Sequence, residues 1–172
     1  MNYATLKTHD VANGIGIRVS LFVSGCTHKC KGCFNSEAWD FDYGTPYGDD
    51  VEQKIIQALA PDYIRGLSLL GGEPFEPQNQ PTLLHLLELV RSLYPQKTVW
   101  CYSGYTFEDD ILSGRLGDTA IKMLNCIDVL VDGEFVEAKK DLGLRFRGSS
   151  NQRIIDVRRS LAENKTVILT DF

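Results

Sequence analysis

Residues 26–35 read CTHKCKGCFN and place Cys26, Cys30 and Cys33 in a C-x3-C-x2-C arrangement directly after an apolar run. A four-iron cluster needs a thiolate on each iron, so a loop that supplies three leaves one iron open to something other than protein. Thr27, His28, Lys29, Lys31 and Gly32 are small or polar, which suits a loop that wraps a cluster, and two lysines are expected to favour the thiolate form. Zinc, with His28 as the fourth ligand, is the competing reading, although close C-x2-C pairs or a C-x2-C/H-x3-H pattern would be expected for it. A disulfide framework suits the chain less well, because five cysteines is an odd number and no apolar signal peptide precedes the loop. A reducing, cytoplasmic setting is expected.

With 172 residues the chain is most simply one domain, and a domain of that size buries about 70% of its unfolded surface without needing a metal to fold. No run approaches the roughly 18 apolar residues of a membrane span. The net charge of −5 argues against general nucleic-acid binding, which relies on Lys and Arg. Charge is uneven, however: residues 134–165 carry +3 and the rest −8. That basic segment is either a solvated surface or a docking face for an acidic partner.

Working outward from the cysteines, four short runs rich in branched and aromatic residues each end in glycine: Arg18–Gly25, Gly66–Gly72, Thr98–Gly104 and Asp128–Gly133. They read as parallel strands. Val51, Ile55, Ile56 and Leu59 make one apolar helical face, and Leu83, Leu84, Leu87 and Val90 another that Pro81 opens. Repeated strand–helix units predict an α/β fold with mostly parallel strands, whose site gathers at the strands' carboxyl ends. A closed eight-unit barrel takes about 250 residues, so only a partial, open (β/α) barrel is expected.

The second strand ends in Gly71-Gly72-Glu73-Pro74. Two glycines let a ligand approach the backbone and the proline stiffens the exit, an arrangement suited to the amino and carboxylate groups of an amino acid. A plain strand-to-helix turn would also explain the tetrapeptide taken alone.

The cysteine loop followed by this turn resembles the radical S-adenosylmethionine enzymes. Asn13-Gly14-Ile15-Gly16-Ile17-Arg18, Cys33-Phe34-Asn35 with Trp39, DVLVDGEF at 128–135 and RGSSNQR at 147–153 are similar to the subgroup that activates glycyl-radical enzymes, and within it to the anaerobic ribonucleoside-triphosphate reductase activating proteins. The resemblance covers residues 9–157 and implies a [4Fe-4S] cluster on Cys26, Cys30 and Cys33. It also implies S-adenosylmethionine contacts at Gly32, Cys33, Phe34, Gly71, Gly72 and Glu73, and a radical SAM fold over residues 1–172. The wider superfamily has an aromatic residue immediately before the third cysteine, where this chain has Gly32 and displaces the aromatic to Phe34. Residues 157–172 read as a short helix and strand of unknown purpose.

In such a family an external one-electron reductant such as flavodoxin supplies the cluster, S-adenosylmethionine is cleaved to methionine and a 5′-deoxyadenosyl radical, and hydrogen is taken from a glycine on the large reductase subunit. No side chain is expected to act as a catalyst, because cluster and cofactor carry the chemistry. Cys101 and Cys126 read as buried hydrophobes. His9, His28 and His85 read as surface or core residues, and Asp132 either faces the cofactor or stabilises a turn. Activation of another glycyl-radical enzyme such as pyruvate formate-lyase is the second reading; a non-enzymatic iron–sulfur electron carrier is the third, disfavoured by three ligands rather than four.

Overall fold

A computed structural model describes residues 1–170. Its sheet has seven strands: β1 (Asn2–Asp10), β2 (Ile17–Val23), β3 (Thr45–Pro46), β4 (Ile64–Gly71), β5 (Thr98–Tyr102), β6 (Val129–Asp132) and β7 (Arg153–Asp156). They lie in the order β3-β1-β2-β4-β5-β6-β7. The central run β2-β4-β5-β6 is parallel, whereas β1, β3 and β7 pair antiparallel. The sheet does not close: β3 and β7 are its ends.

Helices α1 (Asp49–Leu59), α2 (Gln80–Leu93), α3 (Asp118–Asn125) and α4 (Val157–Glu163) pack along one face with a π-helical turn at Phe107–Leu112. Strand residues alternate between two environments, as a pleated backbone requires. Val19, Leu21, Val23, Leu67, Leu69, Val99, Cys101 and Leu130 are buried in the core shared with Val51, Ile55, Leu59, Leu83, Leu86, Leu87 and Val90 of the helices. The intervening residues Ser20, Phe22, Ser68, Leu70, Trp100 and Tyr102 point to the opposite face. Both faces of the central strands are covered, which explains their nearly continuous apolar character. The α2 stripe runs through Leu86 instead of the expected Leu84, which is only half-buried.

Arg18 is wholly buried on the second face. Its guanidinium donates to Ser68 Oγ (2.7 Å), Thr98 Oγ1 (3.0 Å), Leu67 O (2.7 Å) and Thr98 O (2.9 Å), and lies 5.6 Å from the Trp100 ring. Ser68 Oγ in turn donates to Asn13 O at 2.6 Å, so this one side chain joins three strands to the turn before β2. Burial lowers the Arg18 pKa to about 10, still far above neutrality.

Beyond α4, Asp156 N donates to Val167 O and Leu169 N to Ile154 O, so residues 167–169 cover the outer edge of β7. The expected helix of the last segment is present as α4, but the expected strand is reduced to an isolated bridge between Ile168 and Ile155; residues 171–172 lie outside the described residues. Covering an edge hides the unpaired backbone groups that would otherwise recruit another strand.

Arg153 of β7 donates to Asp132 Oδ1 (2.9 Å) and to both Glu108 oxygens (3.0 and 2.6 Å). Asp132 also accepts from Phe107 N at 2.9 Å, so it ties β6 to the π-helical turn and to β7, where the sequence suggested the turn that follows it or the cofactor. Arg153 holds the Glu108 carboxyl down to about 2, from 4.5 in the free side chain. A carboxyl depressed in the folded state stabilises the fold above its unfolded pKa and ceases to do so as pH falls through the folded value. Glu108→Gln should therefore lower stability near neutrality and flatten the loss of stability between pH 4.5 and 2. Urea midpoints measured across that range decide it, and an unchanged slope would remove Glu108 from the acid transition.

Candidate functional site

A cavity of about 490 Å³ opens at the carboxyl ends of the parallel strands. Cys26, Cys30 and Cys33 line it together with Gly71 at the end of β4 and Gly72 and Glu73 after it, Tyr102 at the end of β5 and Ser103 and Gly104 after it, and Gly133 after β6. The two motifs separated by some 40 residues of sequence thus share one wall. All three thiols are free; Cys26 is buried while Cys30 and Cys33 are half-exposed.

The loop's entry is held by main chain. Gly25 N donates to Ala38 O (2.8 Å) and Cys26 N to Trp39 O (3.1 Å), both in the 3-10 turn Ser36–Trp39. On the other side Gly72 N donates to Val23 O (2.7 Å) and Glu73 N to Gly25 O (2.8 Å). Lys29 and Gly32 adopt left-handed φ values of 51° and 74°, which bend the loop, and Asn35 N donates to Cys33 Sγ at 3.4 Å. Such N–H···S contacts are among the features that tune cluster potentials.

Side chains complete the anchoring. Buried Glu76 accepts from Thr27 N (2.7 Å) and Thr27 Oγ1 (2.6 Å). Buried Glu73 accepts from Phe75 N (2.8 Å), Ser103 Oγ (2.9 Å) and Gly104 N (2.7 Å), and its Oε2 lies 3.2 Å from His28 Nε2. His28 Nδ1 is 2.8 Å from Glu134 Oε1. Burial works against charge on His28, but the two carboxylates outweigh it and bring the imidazolium pKa up to about 9.

The lysines do not activate the thiols as expected. Lys31 is 89% exposed and pairs with Glu137, and Lys29 is also exposed. Burial and the neighbouring Glu73 push the Cys26 thiol up to about 12, and burial raises Cys30 as well. A metal bound here would supply the deprotonation, since it strips the proton from a coordinating thiol.

Among the described residues no three His, Cys, Asp or Glu side chains converge as on a single ion. The thiolates of an iron–sulfur cube sit on separate irons and stand further apart. His28, the nominated fourth zinc ligand, is already engaged by Glu73 and Glu134. Three buried polar atoms on the residues around the cavity, His28 Nε2, Trp39 Nε1 and Tyr102 Oη, have no hydrogen-bond partner among the described residues, and His28 Nε2 has only its 3.2 Å ion-pair contact with Glu73. A buried donor left unpaired costs about 1–3 kcal/mol, so the donor set fits a cavity that takes a polar ligand beside a cluster.

Comparison with known proteins agrees with that chemistry. The family of 4Fe-4S single cluster domains matches residues 12–155. Anaerobic ribonucleoside-triphosphate reductase-activating proteins of Vibrio cholerae and Haemophilus influenzae are 44% and 43% identical over 156 residues, covering 90% of this chain and 97% of each relative. That of Escherichia coli is 40% identical over 160 residues, 92% of this chain and 100% of the relative. The chain belongs to the anaerobic ribonucleoside-triphosphate reductase-activating protein family.

Within this activating-protein fold the remaining expected residues separate. Phe34 lines the cavity but is 69% exposed, packed on Phe135 (5.7 Å between centroids) and covered by Lys140 Nζ at 4.8 Å. The α-carbon of Gly32 faces the Glu137 side chain. Cys101 is wholly buried in β5 as expected, whereas Cys126, at the C-cap of α3, is only half-buried against the core; burial raises both thiols. His9 stacks on Tyr63, and His85 Nε2 lies 3.4 Å from Glu52. The basic segment is not one patch. Lys140 sits at the cavity mouth, whereas Arg158 pairs with Asp128 at the far end of β6 and Arg159 with Glu163.

Sequence reasoning treated His28 as an ordinary surface or core residue and overlooked Tyr102. The position of Tyr102 at a strand's carboxyl end was the available signal for it; nothing in the spacing of His28 marked that residue.

Gly72 has a packing reason for being small in addition to the ligand approach expected from its motif. A Cβ built there would lie 2.5 Å from Gly25 O and 2.9 Å from Ala38 O, both rigid main chain at the loop's entry. Gly72→Ala should therefore cost about 3 kcal/mol, the upper end of overpacking, and loosen the cysteine loop with it. Thermal unfolding of the metal-free protein tests this, and full stability in Gly72→Ala would return the glycine to a purely ligand-facing role.

Proposed function

We propose that this chain is the activating enzyme of an anaerobic ribonucleoside-triphosphate reductase, with a [4Fe-4S] cluster on Cys26, Cys30 and Cys33 and S-adenosylmethionine in the adjoining cavity. The observation that carries the reading is that three free thiols and the Gly71–Glu73 turn line one cavity in a member of this family. When bound, these groups supply reductive cleavage of the sulfonium to a 5′-deoxyadenosyl radical, which takes hydrogen from a glycine of the large reductase subunit. An external one-electron reductant such as flavodoxin feeds the cluster.

The protein's own part is to hold and to exclude. Glu76 and Glu73 fix the first half of the cysteine loop through Thr27 and His28. Gly71, Gly72 and Glu73 would line the methionyl end of the cofactor, with the Gly72 and Glu73 amides already engaged by Val23 O and Gly25 O and the carbonyls of the glycines left to meet it, and with Gly32, Cys33 and Phe34 on the facing loop. Trp39 Nε1 and Tyr102 Oη donate to its polar atoms, while Phe22, Leu70 and Phe146 keep water from the rest of the wall. Holding reactants in line is worth a large part of such a barrier. We read the open sheet as a partial (β/α) barrel of the radical SAM type, and residues 1–172 as its single domain. Among the described residues no helix is long and apolar enough to cross a membrane, and we place the enzyme in the cytoplasm.

Anaerobically reconstituted protein should bind about four irons. Cys26→Ala, Cys30→Ala and Cys33→Ala should each lose the cluster's absorption and all cofactor cleavage, whereas Cys101→Ala and Cys126→Ala keep both. With reductant, S-adenosylmethionine and an anaerobic ribonucleotide reductase, the wild type should raise a glycyl-radical doublet in the electron paramagnetic spectrum. A doublet on pyruvate formate-lyase and none on the reductase would transfer the activity to the other partner.

A separate expectation concerns the unpartnered donors. Trp39→Phe and Tyr102→Phe should each weaken S-adenosylmethionine binding about 3- to 10-fold, the worth of one hydrogen bond, with iron content unchanged. Equilibrium titration reads this directly, and unchanged affinity in both variants would separate these donors from the ligand.

A further inference from the structure

The fold draws His28 inward while its neighbours Thr27 and Lys29 remain exposed; only 10% of its side chain is accessible. The ring stands edge-on to Tyr105 with centroids 4.4 Å apart, and it occupies the space beside Gly104, where any Cβ would come within 2.7 Å of its Cδ2 and Nε2. Glu73, which meets Nε2, is itself pinned by Phe75, Ser103 and Gly104, and Glu134, which meets Nδ1, follows β6. One side chain of the cysteine loop therefore contacts the carboxyl ends of β4, β5 and β6. It also lines both the main cavity and an outer groove of about 410 Å³ bounded by Thr27, Tyr105 and Arg115.

Between its first two cysteines the loop is otherwise held at its ends: Cys26 N is tied to Trp39 O and Thr27 to Glu76, the His28 and Lys29 amides turn onto the Cys26 thiol, and the Phe135 amide meets Cys30. Lys29 is left-handed and the stretch to Cys30 forms no regular structure, so His28 is the side chain that ties the middle of the span to the strand ends. We propose that His28 is a positioning residue: by bridging Glu73 and Glu134 it locks the Cys26–Cys30 span against three strand ends and sets the distance between the thiols and the Gly71–Glu73 turn. The proposal rests on the function given above. Its ring also closes the cavity toward the outer groove. A residue of this kind governs rate more than affinity, because misplacement by about 1 Å costs on the order of 100-fold in reactivity.

The test compares wild type, His28→Ala and His28→Gln. In metal-free protein, amide hydrogen exchange at residues 28–33 should be at least about 10-fold faster in His28→Ala, with the core amides unaffected. After reconstitution, iron content and the KM for S-adenosylmethionine should stay near wild type, while kcat for cofactor cleavage falls about 10- to 100-fold. His28→Gln keeps one polar bridge and should recover part of both effects. Unchanged exchange and unchanged kcat in His28→Ala would overturn the proposal. If His28→Ala does not fold, His28→Gln decides alone: a lower kcat at constant KM with faster loop exchange supports the role, and wild-type values for both remove it. Wild-type protein that fails to cleave the cofactor would sink the proposed function, whereas the exchange measurement would still judge His28 as the anchor of the loop.

Discussion

The parallel pairing of β2 with β4 does not stop where the strands end, and the site depends on that continuation. Val23 and Gly71 are the last partners in register, after which Gly72 N reaches Val23 O and Glu73 N reaches Gly25 O. The cysteine loop and the glycine turn are thereby joined by main chain before any side chain contributes. Such bonds demand a close approach that only glycine permits, since a Cβ at Gly71 would meet Val23 and one at Gly72 would meet Gly25. Both motifs thus leave the sheet from one backbone arrangement, which fixes where the cysteine loop begins relative to the glycine turn.

Buried charges reinforce it, each with a full set of partners. Arg18 binds the second face of the sheet to the turn at Asn13, Glu73 and Glu76 hold the cysteine loop, and Asp132 with Arg153 ties β6 and β7 to the π-helical turn. A buried ionic group stabilises little by itself, but removing its partner is costly. These groups therefore act mainly to specify one geometry around the cavity. The large apolar core lies on the helical face, while the other face combines a smaller apolar cluster around Trp100, Val131 and Ile154 with the buried Arg18 network.

The four central strands and the apolar stripes of α1 and α2 were legible because buried parallel strands are continuous apolar runs and helices repeat every three to four residues. Strands β1 and β7 were not. In β1, Asn2–Asp10, polar Thr, Lys and His positions obscure any alternation, because this near-edge strand leaves much of its surface in water. β7 has only four residues, too few for a period to emerge. In α2 the buried stripe takes Leu86 in place of Leu84, a choice set by how the helix is rotated against the rest of the fold, which local spacing does not contain.

The sequence by itself determined the donor chemistry: three cysteines at cluster spacing, a glycine turn at a strand end and a chain patterned for parallel strands, all local properties of residue type and separation. Tertiary structure decided what those residues do to one another. It turned His28 inward onto two carboxylates, gave Gly72 a packing role against Gly25 and Ala38, left Trp39 Nε1 and Tyr102 Oη unpaired, and split the basic run 134–165 between opposite ends of β6. These outcomes depend on contacts between residues tens of positions apart, and the distances and burial that set their energies exist only once the chain has folded.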